Sequence, residues 1–193
     1  TQAHITKYKS IEDSTPVDID ENVTVMVGVN EAGKSAFLES MYKSNPVLSG
    51  AEYRDIFDYP RKDWNKYKRR ANKDETAVVA VLKYTLDDDE AAAIEAELGT
   101  GVLTNRVFTE THRIDNKSTL AISVDETPYL PKLLKDADIS DELRAILKPA
   151  KSINEMLNLL KEQELAEKGT AFQTALEAKF KADNDTWTST PPS

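Results

Sequence analysis

Cysteine is absent from all 193 residues, which excludes a disulfide framework and any thiolate metal site. Histidine is almost as scarce. His4 and His112 are the only two, too few for a histidine-rich metal centre. No apolar run approaches the length of a membrane span and no signal-peptide pattern opens the chain, so it is expected in the cytoplasm, without membrane partners. Positive charge is in deficit: 25 Lys and Arg face 34 Asp and Glu, for a net charge of −9. Such a surface cannot coat nucleic acid non-specifically, so any contact of that kind must come from a local patch. The opening residue is Thr1, not methionine, as expected of a processed or trimmed chain.

Against these absences stands one complete pattern. Gly28-Val29-Asn30-Glu31-Ala32-Gly33-Lys34-Ser35 reads G-x-x-x-x-G-K-S. The apolar, β-branched run Val23 to Val27 precedes it, and apolar residues at helical spacing follow it through Tyr42. Strand, glycine loop and helix are the context in which this pattern cradles phosphate. Gly28 and Gly33 are expected to allow backbone conformations that a Cβ forbids. The helix N-terminus adds positive potential. Lys34 is suited to β- and γ-phosphates, and the Ser35 hydroxyl to Mg²⁺. The expected nucleotide contacts are Asn30, Glu31, Ala32, Gly33, Lys34, Ser35 and Ala36, with ATP and Mg²⁺ as ligands and Ser35 as the metal-binding residue.

Elsewhere the pattern predicts strands at His4–Ser10, Val17–Ile19 and Thr76–Tyr84, and a hairpin of Arg106–Ile114 with Thr119–Val124 turning at 115–118. The loop helix should stop near Lys43, before Asn45-Pro46. Residues 48–70 read as irregular and increasingly basic. Asp87–Leu98 is predicted as a helix capped by Asp87 and Glu90 and ended by Gly99. Helices are also predicted at Ser140–Leu147, after the capping box Ser152 to Glu155, and at Ala171–Phe180. The organisation expected is a sheet-rich lobe over 1–126, a helical segment over 127–182 and a flexible tail over 183–193.

The stretch Ile5 to Ile11, then Val23 to Val27, then Gly28 to Glu39 resembles the N-terminus of ABC-type ATPases of the RecF, SMC and OLD group within the AAA family. The Asn-Glu-Ala-Gly-Lys-Ser form of the loop, with Asp58-Tyr59-Pro60-Arg61 further on, is most similar to the OLD-like branch. The resemblance implies an α/β P-loop NTPase fold, in which a lobe with a mixed or antiparallel β-subdomain leads into a helical segment. It implies ATP hydrolysis in a homodimer or larger assembly, coupled to DNA repair or antiviral defence, with DNA as a possible partner. It also implies that Lys9, the basic residue closing the first strand, comes close to the nucleotide phosphates; an exposed strand-end lysine is the competing reading.

Such an ATPase needs an apolar strand ending in Asp-Glu and a signature Ser-Gly loop. Leu48-Ser49-Gly50-Ala51-Glu52 imitates the loop but lies too near the phosphate-loop helix, and reads as a turn. Ala121 to Glu126 imitates the strand, but it alternates apolar and polar as a half-exposed hairpin strand does. The catalytic residues are therefore unassigned, and the chain is expected to be the N-terminal portion of a longer ATPase. A GTPase or kinase is the alternative P-loop class; Asn116-Lys117-Ser118-Thr119 lacks the Asp of a guanine-reading motif. A nucleotide-stabilised interaction module without turnover is the other alternative. Arg61 to Arg70, with Trp64 and Tyr67 among its cations, suits nucleic-acid phosphates and base stacking; as a charge run it equally suits a solvated loop balanced by nearby acids, the reading preferred from sequence. Asp87 to Glu90 is explained by a helix N-terminus, and His112 by a structural or exposed place in a strand.

Overall fold

The computed structural model describes residues 1–30, 32–71, 76–183 and 186–188. It is mixed α/β, with an antiparallel sheet and helices, and divides into two compact units.

The first unit comprises Thr1–Leu86 and Arg106–Ser123. Its strands are β1 (Gln2–Tyr8), β2 (Ile11–Asp13), β3 (Val17–Asp18), β4 (Val78–Thr85), β5 (Leu103–Arg113) and β6 (Ser118–Val124), the last two reaching slightly beyond the unit. The order is β2-β1-β4-β5-β6, with β3 also on β1. Ala3 pairs with Leu82 and Ile5 with Ala80, and all four are buried. Helix α1 (Lys34–Ser44) covers this sheet with Phe37, 2% exposed.

Two expectations change here. Val23 to Val27 forms no strand. Strand β1 has β4 on one side and β2 and β3 on the other, so the sheet offers this run no edge beside β1. Residues 48–70 are also more ordered than their sequence suggests. They hold α2 (Asp55–Asp58), a 3₁₀ turn (Arg61–Asp63) and α3 (Trp64–Ala71). Aromatic packing folds them: the Tyr59 and Tyr67 rings stack at 4.2 Å, and Trp64 leans on both.

The second unit comprises Asp87–Asn105 and Val124–Ser193. It contains α4 (Asp88–Leu98), α5 (Tyr129–Asp136), α6 (Asp141–Leu147), α7 (Ile153–Lys161) and α8 (Glu167–Lys179), with a small pair β7 (Lys181–Asp183) and β8 (Thr186–Thr188). The capping box on α4 forms as its sequence predicts: Asp87 accepts from the Glu90 N–H and Glu90 from that of Asp87. Ser152 caps α7 in the same way, but Glu155 reaches back to the N–H of Lys151 instead. Helix α5, unrecognised in the sequence, contains Pro131 in its first turn, where a missing N–H breaks no helical bond. Helix α8 begins four residues before the predicted Ala171, running through Gly169, where a Cβ would lie 3.1 Å from Leu143 and 3.2 Å from Leu165. Leu147, Met156 and Leu160 are fully buried at the centre of this unit. Of the expected tail, 184–185 and 189–193 lie outside the described residues.

Candidate functional site

The loop from Gly28 to Ser35 ends at the N-terminus of α1. Gly33 is the residue before the helix, at φ +93°, and a Cβ there would stand 3.1 Å from Cγ1 of Ile11. Both facts require glycine. Gly28 differs from expectation: it is not among the described glycines with positive φ, and a Cβ would meet Ala32 at an ordinary 3.6 Å. Only the second glycine is conformationally obligatory in this arrangement.

No side chain caps α1, and the first described helical bond beyond the loop runs from the Phe37 N–H to the Gly33 carbonyl at 2.9 Å. The first-turn N–H groups are thus available to an anion, where the helix potential favours one. The Lys34 ammonium folds back over the loop and donates to the carbonyls of Gly28 at 2.7 Å and Val29 at 2.8 Å. Asn30, Ala32 and Ser35 are exposed. Ala36 is buried, so only its backbone faces the loop chemistry. Glu31 lies outside the described residues.

Before the loop, Val23, Val25, Val27 and Val29 are 70%, 74%, 88% and 79% exposed, while Met26 packs against the core. Among the described residues, no backbone N–H from Thr24 to Val27 has a hydrogen-bond acceptor. The run keeps the period-2 apolar pattern of a strand without a neighbouring strand.

Lys9 lies on the flank of α1. Its ammonium donates to the Glu39 carboxylate at 2.7 Å and sits 5.6 Å from the Tyr8 ring centre. Glu39 also faces Lys43 at 3.7 Å. Lys43 in turn meets Asp58 at 2.6 Å, and Asp58 accepts from the Arg54 N–H at 2.8 Å. The backbone closes the circuit: the Lys9 N–H donates to the Asp58 carbonyl at 2.6 Å. Burial pushes the Glu39 carboxyl upward, but the hydrogen bonds from Lys9, the adjacent Tyr8 hydroxyl and the charges of Lys9 and Lys43 outweigh it and hold it below its ordinary value. The Tyr8 hydroxyl is pushed strongly up, first by burial and then by the charges of Asp58 and Glu39. It lies beside Glu39 without a hydrogen bond of good geometry. Sequence reasoning singled out Lys9 and named Glu39 and Asp58 only within the family resemblance; that they meet with Lys43 follows only from the fold.

The two imitations are accounted for. Leu48 to Glu52 is a turn, with Gly50 at φ +84°. Asp125 and Glu126 follow the mostly exposed β6 and serve local structure: Asp125 accepts from the Thr127 N–H at 2.9 Å, and Glu126 from the Ile153 N–H at the start of α7. Asn116 sits at φ +64° in the β5–β6 turn and clasps Tyr53, accepting its N–H at 2.8 Å and donating to its carbonyl at 2.9 Å. His112 is buried, 3.1 Å from Glu110. Among the described residues no cluster of three His, Asp or Glu side chains could hold a metal, and no helix is long and apolar enough to cross a membrane.

Comparison with protein-family models, with curated proteins and with solved structures yields no match to this chain.

Proposed function

We propose that the chain is the nucleotide-binding lobe of an ABC-type P-loop ATPase, binding ATP through residues 28–36. One observation carries the reading. The G-x-x-x-x-G-K-S sequence sits at an uncapped helix N-terminus, with Gly33 at φ +93° and the Lys34 ammonium already folded over the loop. Phosphate oxygens would take the place of the Gly28 and Val29 carbonyls as acceptors for Lys34. The Ser35 hydroxyl can offer Mg²⁺ one ligand. Among the described residues no acidic cluster could hold the ion, so it would arrive held by the phosphates themselves.

The finer fold assignment rests on the same region. A loop-feeding strand in this class is central, and the four exposed valines form an apolar face that the described residues leave uncovered. On this reading, strands from outside them pack there, and a homodimer or larger assembly completes the ATPase. Coupling to DNA repair or antiviral defence follows from the family resemblance. A second reading, binding without turnover, is favoured by the engagement of Asp125 and Glu126 in backbone hydrogen bonds that serve local structure.

The test is a titration with fluorescent ATP and Mg²⁺, comparing the chain with Lys34→Ala. Charge-assisted hydrogen bonds contribute about 1.5–3 kcal/mol, so affinity should drop at least about tenfold with the fold intact by circular dichroism. Equal binding by a folded Lys34→Ala protein overturns the proposal.

A further inference from the structure

Lys66, Lys68 and Arg69 on α3 are exposed, as is Arg61 just before the helix. Among the described residues none of the four has an ion-pair or hydrogen-bond partner for its side chain. Lys62 is paired with Glu12. The segment is therefore not a loop, and among the described residues these four cations are not balanced by acids, against the two features on which the solvated-loop reading depended.

The aromatic residues of the same segment turn the other way. Tyr67 is 8% exposed and stacked on the equally buried Tyr59, and Trp64 packs against the same core. Neither ring is placed to stack on a base. The outward positions Asn65, Lys66, Lys68 and Arg69 offer no apolar side chain, so among the described residues the helix shows neither the wedge that a membrane-surface helix inserts nor the apolar centre of a protein interface. What remains is a cluster of exposed cations, with Lys66 and Arg69 one turn apart on the same face of the helix and Lys68 on its flank.

We infer that α3 with Arg61 is a contact surface for the phosphodiester backbone of double-stranded nucleic acid, binding by charge and without reading bases. The surrounding net charge of −9 keeps the contact local and sensitive to salt. Nothing in it requires the phosphate loop, so it is tested without nucleotide and fails separately from the ATP-binding proposal.

The experiment measures fluorescence anisotropy of a labelled 24-base-pair DNA duplex and of a 24-nucleotide oligothymidine, from 50 to 200 mM NaCl. Poly-L-glutamate serves as an unlabelled competitor. Four phosphate contacts imply that duplex affinity falls about a hundredfold over this range. The variant Lys66→Gln/Lys68→Gln/Arg69→Gln should lower the log–log salt slope by about 2.7, with an unchanged circular dichroism spectrum. Oligothymidine should bind no tighter than duplex, leaving Trp64 fluorescence unquenched. An unchanged slope in the variant overturns the inference. So does preferred single-strand binding with quenching of Trp64, which would mean stacking. No measurable duplex binding at 50 mM NaCl also overturns it, as does stronger competition by poly-L-glutamate than by unlabelled duplex, which would favour an acidic protein partner.

Discussion

The Lys43 ammonium and the Asp58 carboxylate meet at 2.6 Å almost out of reach of solvent, their side chains 8% and 1% exposed. The pair ties the helix after the phosphate loop to the end of α2. Removing one partner strands the other charge in a site that water barely enters. Lys43→Met or Asp58→Leu should therefore cost about 3–5 kcal/mol of stability. The double variant Lys43→Met/Asp58→Leu should recover a large part of that loss. Urea unfolding of the four proteins checks this, and strictly additive losses would show that the pair does not act as a unit.

Tyr8→Phe is predicted to be neutral or stabilising by up to about 1 kcal/mol, because it removes a buried hydroxyl that lacks a well-formed hydrogen bond. It also tests the alkaline limit of the fold. The folded state holds the Tyr8 proton more tightly than the unfolded chain does, so its contribution is intact below the ordinary tyrosine value of 10.0 and is lost as pH rises above it. Tyr53, Tyr67 and Tyr84 shift in the same direction, chiefly through burial. Thermal melts from pH 8 to 11 should decline across the upper part of that range, less steeply for Tyr8→Phe.

Asn116 should be replaceable by glycine at lower cost than by alanine. Both variants lose the two hydrogen bonds to Tyr53, but glycine keeps φ +64° without a Cβ. Two neutral hydrogen bonds amount to about 1–3 kcal/mol, and the left-handed conformation adds about 1 kcal/mol for alanine. Equal destabilisation of the two variants in chemical unfolding would dismiss the conformational part.

Turnover by the isolated chain should be slow or absent even where ATP binds. Catalysis of phosphoryl transfer depends on positioned charge around the γ-phosphate and an oriented water. A steady-state phosphate-release assay is the measurement. Brisk hydrolysis abolished by Glu126→Gln would transfer the water-activating role to the end of β6.

Local rules carried the sequence reading where they applied. Asp87 and Glu90 announce the start of α4 because a capping box is written within four residues. The hairpin of β5 and β6 is legible from alternation and from its Asp-Asn-Lys-Ser turn. The Lys9–Glu39 pair was not legible, since thirty positions separate partners that only the docking of α1 on β1 brings together. Tyr59 and Tyr67 stack across a stretch with no periodicity to announce it. Val23 to Val27 shows the opposite failure. Its alternation is that of a strand, but a strand needs a neighbour, and β1 has both sides taken.

The four valines also govern how the molecule behaves in a concentrated solution. An extended, β-branched run with open backbone donors is a template for edge-to-edge pairing with an identical run in another molecule. At low ionic strength, the net charge of −9 keeps such molecules apart. At physiological salt, charge is screened beyond about 8 Å, and colloidal repulsion no longer protects the run. Raising salt to remove bound polyanions during purification would therefore favour self-association, and a single Val25→Lys change on that face should be enough to restore dispersal.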